Sequence, residues 1–330
     1  MLTTFLATLN PMLMLFICIA VGFILNKCKI LPDDAGKVMA KLETWVFCPA
    51  LSFSTMATYC TINTISAHAT NIFFGICCVA MCMAIAIPLG KVFVREKSPE
   101  RGIYMYALAF ANGGYIGDPV VLALFGDEVL SYYKLFYLPF SLMIYIWGIS
   151  VLVPTGEYKG GILKKIMNAP TIAMFIGILV GITGLGTHLP SFVHSAMNSL
   201  KSCMGPVAML LAGFTIANYD IRQMLQNKKV YVATALRLVI LPVVLIAALF
   251  GIKELLNSLL DLQISNVPLF LAFFACAAPL GLNTVVFPEA YGGNPKTGAS
   301  MALISHTLCV ISIPIMYAIL IAVFGPMAAL

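Results

Sequence analysis

Residues Ala111–Pro119 read Ala-Asn-Gly-Gly-Tyr-Ile-Gly-Asp-Pro inside an otherwise apolar run. Three glycines, a proline, an asparagine and an aspartate in nine residues cannot continue an ordinary lipid-facing helix. In hydrocarbon each unpaired backbone group costs several kcal/mol, so such a break survives only where it is buried in protein or lines a cavity. A second break, Pro279-Leu-Gly-Leu-Asn-Thr-Val-Val-Phe-Pro288, lies in the corresponding place in the second half of the chain. Interruptions paired in this way point to the solute site of a membrane carrier.

The surrounding sequence is scaffold for a bilayer. Of 330 residues, 61% are hydrophobic and 10% charged, against roughly 25% charged in soluble domains. The expected fold is an all-α polytopic membrane protein. A spanning helix needs ~20 apolar residues. Ten runs qualify: 4–26, 36–57, 69–93, 102–125, 131–153, 168–185, 202–218, 229–250, 267–291 and 298–324. The first has no basic segment before it and no small-residue cleavage pattern, so it reads as a span rather than a removed signal. The net charge of +6 is spread over short loops, which excludes a nucleic-acid patch. The expected partners are the lipid bilayer and a small solute; a homodimer is one assembly the sequence allows. The ten cysteines show no zinc-type spacing. No metal or cofactor is expected beyond a coupling H⁺ or Na⁺. Cys78 and Cys82 share a helix face, but two thiols read as polarizable packing.

Lysine and arginine set the expected orientation. Lys27, Lys29, Lys37 and Lys41 fall in the first loop, and Lys91, Arg95, Lys97 and Arg101 in the third. Lys159, Lys164 and Lys165 follow in the fifth, Arg222, Lys228 and Lys229 in the seventh, and Lys296 in the ninth. The even-numbered loops hold only Lys134, Lys201 and Lys253. The odd loops are therefore expected in the cytoplasm and both termini outside, in a cell (plasma) membrane. Five spans repeated in tandem insert upside down the second time. Asn10-Pro11 and Asn168-Ala-Pro170 open spans 1 and 6, Pro49 and Pro206 mark spans 2 and 7, and the breaks mark spans 4 and 9. The expected units are residues 1–155 and an inverted second repeat, 156–330.

Spans 4 and 9 would each restart as a half-helix, near Pro119 and near Val285. A helix N-terminus carries about +0.5 charge and unpaired N–H donors, so two of them converging suit an anion, above all a carboxylate. Pro119 fits a first helical turn, and Gly113, Gly114 and Gly117 allow close approach of a crossing chain. Asn112 and Asn283 either touch the solute or glue the crossover, with Thr284 beside the latter. Tyr115 either stacks on a ring or fills space. Asp118, an acid within a span, either carries a proton, coordinates Na⁺ or caps the half-helix. Arg237, deep in span 8, is a substrate counter-ion, a partner for Asp118, or a snorkelling side chain. His306 in span 10 either relays protons or packs through hydrogen bonds. Glu43 and Glu289 read as solvated span ends.

Asn112-x-Gly114-x-x-Gly117-x-Pro119, Ala278-Pro279-x-x-x-Asn283-Thr284 and Tyr291-Gly292 resemble the auxin efflux carrier family of membrane transporters, bacterial type. The resemblance covers essentially the whole chain. It implies ten helices in two inverted five-helix repeats, similar to bile-acid/sodium symporters. Spans 1, 2, 6 and 7 would form a scaffold, and spans 3–5 and 8–10 a core with crossing helices that moves like an elevator. It also implies organic-anion substrates: auxin for plant members, malate or malonate for several bacterial ones. The chain departs from the pattern at Asp118, where the family is usually apolar, so the coupling ion does not carry over. The short connection between spans 5 and 6 favours a compact carrier.

Other classes fit less well. An intramembrane aspartyl protease needs two membrane aspartates, and Asp118 stands alone in a Tyr-Ile-Gly-Asp context. The aspartate pair Asp33-Asp34 is isolated, unlike a prenyltransferase. No enzyme activity is expected. A channel or facilitator remains the alternative, though no filter motif is visible.

Overall fold

The computed structural model describes residues 2–152, 167–291 and 293–327. Lys159, Lys164 and Lys165 of the fifth loop, and Gly292, lie outside the described residues. The described chain is helical. Its elements are α1 (Leu2–Lys27), α2 (Ala35–Leu42), α3 (Cys48–Tyr59), α4 (Ile62–Ala67), α5 (Ala69–Phe93), α6 (Pro99–Ala109), α7 (Asp118–Met143) and α8 (Ile149–Leu152). After residue 166 come α9 (Ala169–Ile182), α10 (Ser191–Ala217), α11 (Ile221–Leu225), α12 (Lys228–Ala235) and α13 (Leu241–Leu260). The last three are α14 (Val267–Cys276), α15 (Asn283–Tyr291) and α16 (Lys296–Phe324). Five continuous stretches are long and apolar enough to cross a membrane: Ala69–Phe93, Val129–Leu152, Ser191–Ala217, Lys228–Leu260 and Lys296–Phe324. Shorter apolar helices include Phe16–Lys27, Ala169–Ile182 and Val267–Cys276.

Prolines explain much of the local geometry. Proline removes an N–H and its ring clashes with the carbonyl one turn back. Pro49, Pro119 and Pro242 are each preceded by a widened π turn, at Glu43–Phe47, Gly113–Gly117 and Leu236–Ile240. The wider turn moves the carbonyl away from the ring, so these helices continue through proline instead of stopping. Gly126, at φ 80° and ψ −174°, turns the chain inside α7. That residue separates the short apolar stretch Gly113–Gly126 from the long one, Val129–Leu152.

Helix pairing depends on small residues, as expected where apolar burial gives no drive between lipid-solvated helices. Helix α1 packs along α10, and α9 packs along α3; these are the most extensive helix contacts. A Cβ on Gly22 of α1 would overlap the Leu210 carbonyl of α10, and one on Gly213 of α10 would overlap the Ile19 carbonyl of α1. In the other pair, a Cβ on Gly177 or Gly181 of α9 would lie 2.7 Å from Phe53 O or 2.6 Å from Met56 O of α3. The centre is aromatic: Tyr106, Phe110, Tyr133, Phe136, Phe140, Phe273 and Phe287 are fully buried. Apolar side chains such as Ile17, Ile24, Ile311 and Val323 face outward.

Several sequence expectations change. Helix α10 begins at Ser191 rather than near 202, and α13 runs on to Leu260. Lys134 and Lys253 are not loop residues. Both are buried, Lys134 against Asp118 and Lys253 against Asn266 Oδ1 at 2.6 Å. Glu43 is not a solvated span end either. It is fully buried in the π turn before α3 and meets Cys48 Sγ. Glu289 is half-buried and accepts from Thr215 Oγ1 at 3.3 Å.

Candidate solute-binding site

The two breaks meet. Ala111 and Leu280 form an isolated antiparallel bridge, and Asn112 N donates to Pro279 O at 2.8 Å. One freed backbone pair is therefore satisfied between the breaks, and neighbouring side chains satisfy others, as a lipid-embedded site requires. Tyr137 Oη donates to Ala111 O at 3.4 Å, Tyr133 Oη to Gly113 O at 3.5 Å, and Leu280 N donates to Ser305 Oγ at 3.2 Å. Glycine is needed at two of these points. A Cβ on Gly113 would lie 2.6 Å from the Tyr137 ring, and one on Gly281 2.8 Å from Phe110 O.

The restart points differ from the expected ones. Helical backbone resumes at Gly113 and at Asn283, earlier than Pro119 and Val285. At the second restart Thr284 N and Val285 N already donate to Gly281 O at 3.1 Å and Leu282 O at 2.8 Å, so the N–H groups left for a ligand are chiefly those of Gly113–Tyr115 at the first. Pro119 sits in the first turn of α7, after the π turn.

A cleft of about 700 Å³, its open mouth included, lies beside this crossing. One wall is the crossing: Asn112, Gly114, Tyr115, Asp118, Gly281 and Asn283. The opposite wall comes from α3, α9 and α10, through Ser52, Thr55, Met56, Met174 and Met204. Helix α7 and the π turn after it add Lys134, Tyr137, Ser141 and Tyr145. Gly114 has open space where a Cβ would stand.

Asp118 pairs with Lys134, whose Nζ donates to Asp118 Oδ2. These side chains are 14% and 9% exposed, and Asp118 Oδ1 has no partner. Arg237 is therefore not the partner of Asp118, and it does not snorkel. It is fully buried, donating from Nη1 to Leu108 O at 2.8 Å and from Nη2 to Ala275 O at 3.4 Å. Those carbonyls lie in the last turns of α6 and α14. One guanidinium thus ties together the C-terminal ends of both broken helices, each carrying about −0.5 charge.

His306 stands behind Asn112. Its Nδ1 lies 2.9 Å from Ala302 O, so that nitrogen carries the proton, and Nε2 accepts from Asn112 Nδ2 at 2.9 Å. This bond orients Asn112 and leaves its Oδ1 unpaired. Asn283 Nδ2 donates to Tyr106 Oη at 2.8 Å, again leaving Oδ1 unpaired. Tyr115 Oη reaches Cys48 Sγ at 3.9 Å. Gly117, Pro279 and Thr284 lie behind the cleft. Gly117 packs near Phe274 O, Pro279 supplies the crossing carbonyl, and Thr284 Oγ1 donates to Gly281 O at 2.9 Å. Away from the cleft, Cys78 and Cys82 of α5 meet Cys276 of α14, with Sγ–Sγ distances to Cys276 of 3.4 and 4.0 Å. A third thiol thus joins the pair that shares a face of α5.

Sequence reasoning missed Lys134, Tyr137, Ser141 and Tyr145 as site residues. A signal existed: positions 134, 137, 141 and 145 form one helical stripe of polar groups within an apolar span. Tyr106 of α6 was also missed, and nothing in its local sequence distinguishes it.

The chain is 22% identical over 320 residues to the uncharacterized transporter MJ1031 of Methanocaldococcus jannaschii, covering 92% of this chain and 96% of that protein. A family model described as membrane transport protein matches residues 7–317, which span both breaks and every helix lining the cleft. The chain therefore belongs to the membrane transport protein family, the family of the auxin efflux carriers.

Proposed function

We propose that this protein is a secondary carrier of small organic anions, mono- or dicarboxylates or auxin-like acids, that binds its substrate in the cleft at the crossing. The observation that carries this reading is the make-up of that cleft. Two restarted helices turn their N-terminal ends toward it, and Lys134, Asn112 and Asn283 line it. Helix N-termini and a lysine favour a carboxylate. The asparagine N–H groups are taken by His306 and Tyr106, so their free Oδ1 atoms suit a donor on the substrate, such as a hydroxyl or a protonated carboxyl, and the methionines and tyrosines suit the carbon skeleton.

The reading extends to architecture. Ten spans would form two inverted repeats, residues 1–155 and 156–330, with the described stretches as their parts. The pairing supports this: α1 with α10 and α9 with α3 are images of each other if span 1 corresponds to span 6 and span 2 to span 7. Each pair also closes on glycines. The scaffold is then α1, α2–α3, α9 and α10. The cleft lies between that scaffold and the crossing, where sliding of the core would expose it to alternate sides. A plasma-membrane location with both termini outside completes the proposal.

The test is uptake of labelled malate, malonate and an indole acid into proteoliposomes. A carrier gives saturable flux and counterflow, whereas a channel gives neither. Asn283→Ala removes a cleft amide and is expected to raise KM at least tenfold. If no carboxylate moves, or if Asn283→Ala is silent, the reading fails.

A further inference from the structure

We propose that the Asp118–Lys134 pair couples transport to protons. The substrate carboxylate takes the place of Asp118 on Lys134, and Asp118 takes up one proton as it leaves. One proton then crosses with each carboxylate. The inference rests on the carrier reading above and assigns its coupling ion and substrate charge.

The cleft holds one anion and one cation bonded to each other, Asp118 and Lys134. The pair is nearly enclosed. Its net charge is zero, so the empty cleft can cross the bilayer without carrying uncompensated charge, which is strongly opposed there. A carboxylate entering the cleft finds Lys134 the lysine that lines it, already engaged. If Asp118 stays ionised, the loaded cleft holds two anions and one cation. If Asp118 binds a proton on a carboxylate oxygen, the loaded cleft is neutral again. Asp118 Oδ1, buried and unpartnered, is available to take that proton. On release the order reverses: the carboxylate leaves, Asp118 gives up its proton to water, and the ion pair re-forms. Protons balance at one per carboxylate.

Other groups around Asp118 do not replace this role. On its own helix Tyr133 and Tyr137 face it, and from α10 Lys201 adds a favourable field. Tyr115 and Tyr145 also line the cleft. Beyond Tyr115, Cys48 leads to the second buried acid, Glu43. Glu43 meets a thiol, so there is no ion pair there for a carboxylate to enter. Arg237 is committed to Leu108 O and Ala275 O, and His306 is committed on both ring nitrogens. A sodium ion is disfavoured because an ammonium already occupies the Asp118 carboxylate.

Two consequences follow. The substrate is carried as a monoanion; a doubly charged acid must first gain its own proton. The cycle is electroneutral, so accumulation follows the pH gradient and not the membrane potential.

The experiment uses the full chain in proteoliposomes with labelled malate, alongside protein-free vesicles. With the outside one pH unit more acid, the wild type should accumulate malate monoanion about tenfold at equilibrium. A potential set with potassium and valinomycin should change nothing, and removing Na⁺ should change nothing. Asp118→Asn should abolish accumulation, with any remaining exchange independent of pH, while Asp118→Glu should retain coupling. Glu43→Gln should accumulate as the wild type does. The wild-type gradient measurements decide the matter even if Asp118→Asn fails to fold. Accumulation that follows voltage or Na⁺, or ignores the pH gradient, overturns the coupling while leaving the carrier reading intact. Loss of coupling in Glu43→Gln but not in Asp118→Asn overturns the assignment to Asp118. Absence of any carboxylate flux in the wild type overturns both.

Discussion

Replacing Arg237 by methionine should lower stability far more than it changes substrate binding. Methionine keeps much of the length and apolar bulk but cannot donate. The guanidinium donates to Leu108 O at 2.8 Å and Ala275 O at 3.4 Å. A hydrogen bond from a charged donor contributes about 1.5–3 kcal/mol. The shorter contact merits that range and the longer one less. Burying a lone guanidinium is costly, but two helix C-termini at about −0.5 charge each offset most of that penalty. Removal exposes those two carbonyl ends to an apolar interior without a partner. The expected net loss is about 2–5 kcal/mol. At ~2–4 °C per kcal/mol, a scale taken from soluble chains, the melting temperature in detergent should fall by about 4–20 °C. Arg237→Lys should lie between, because one ammonium cannot span both carbonyls as a planar fork does. The assay is thermal unfolding of purified variants, paired with the KM for malate. If Arg237→Met melts within 2 °C of the wild type yet fails to bind substrate, Arg237 contacts the substrate and the capping argument is wrong.

Two further outcomes follow from packing. Gly213→Leu places a side chain where the Ile19 carbonyl of α1 lies, so α1 and α10 must separate; loss of monodisperse protein on size exclusion is expected, and normal yield and melting would refute the tight pairing. Treatment with a membrane-permeant oxidant should join Cys78 to Cys276, whose sulfurs are 3.4 Å apart, detected as a linked peptide by mass spectrometry. Because α5 and α14 both lie on the crossing side of the cleft, uptake should survive that link; arrest of transport would mean that these helices move against each other.

The apolar runs and both breaks were legible because lipid forces polarity to show: a glycine- and proline-rich patch inside a span stands out against its surroundings. The exact restart of each helix was not, because a π turn lets a helix run through Pro119 and begin at Gly113. Charge was the harder part. Lys134 lies close to the start of an apolar run, and proximity to an end reads as solvation. Only the turn at Gly126 folds it back onto Asp118. Glu43 was misread for the same reason. Arg237 was recognised as deep, but its partners are main-chain carbonyls, which no residue letter announces. Cys276 reaches Cys78 and Cys82 only through the packing of α14 on α5.

The bridge between Ala111 and Leu280 also bears on how the chain is made. About 170 residues separate its two sides, and a ribosome adding ~5–20 residues per second needs roughly 10–30 s to cover them. Through that interval the Asn112 amide has no Pro279 carbonyl to meet. The first break must wait in water, in the insertion machinery or against a chaperone, since lipid alone would leave it unsatisfied. Slow synthesis of the second half, or its truncation before residue 279, therefore exposes a recognisable lesion in the membrane. Quality control that surveys polar backbone in the bilayer would find this protein first at Ala111–Gly113.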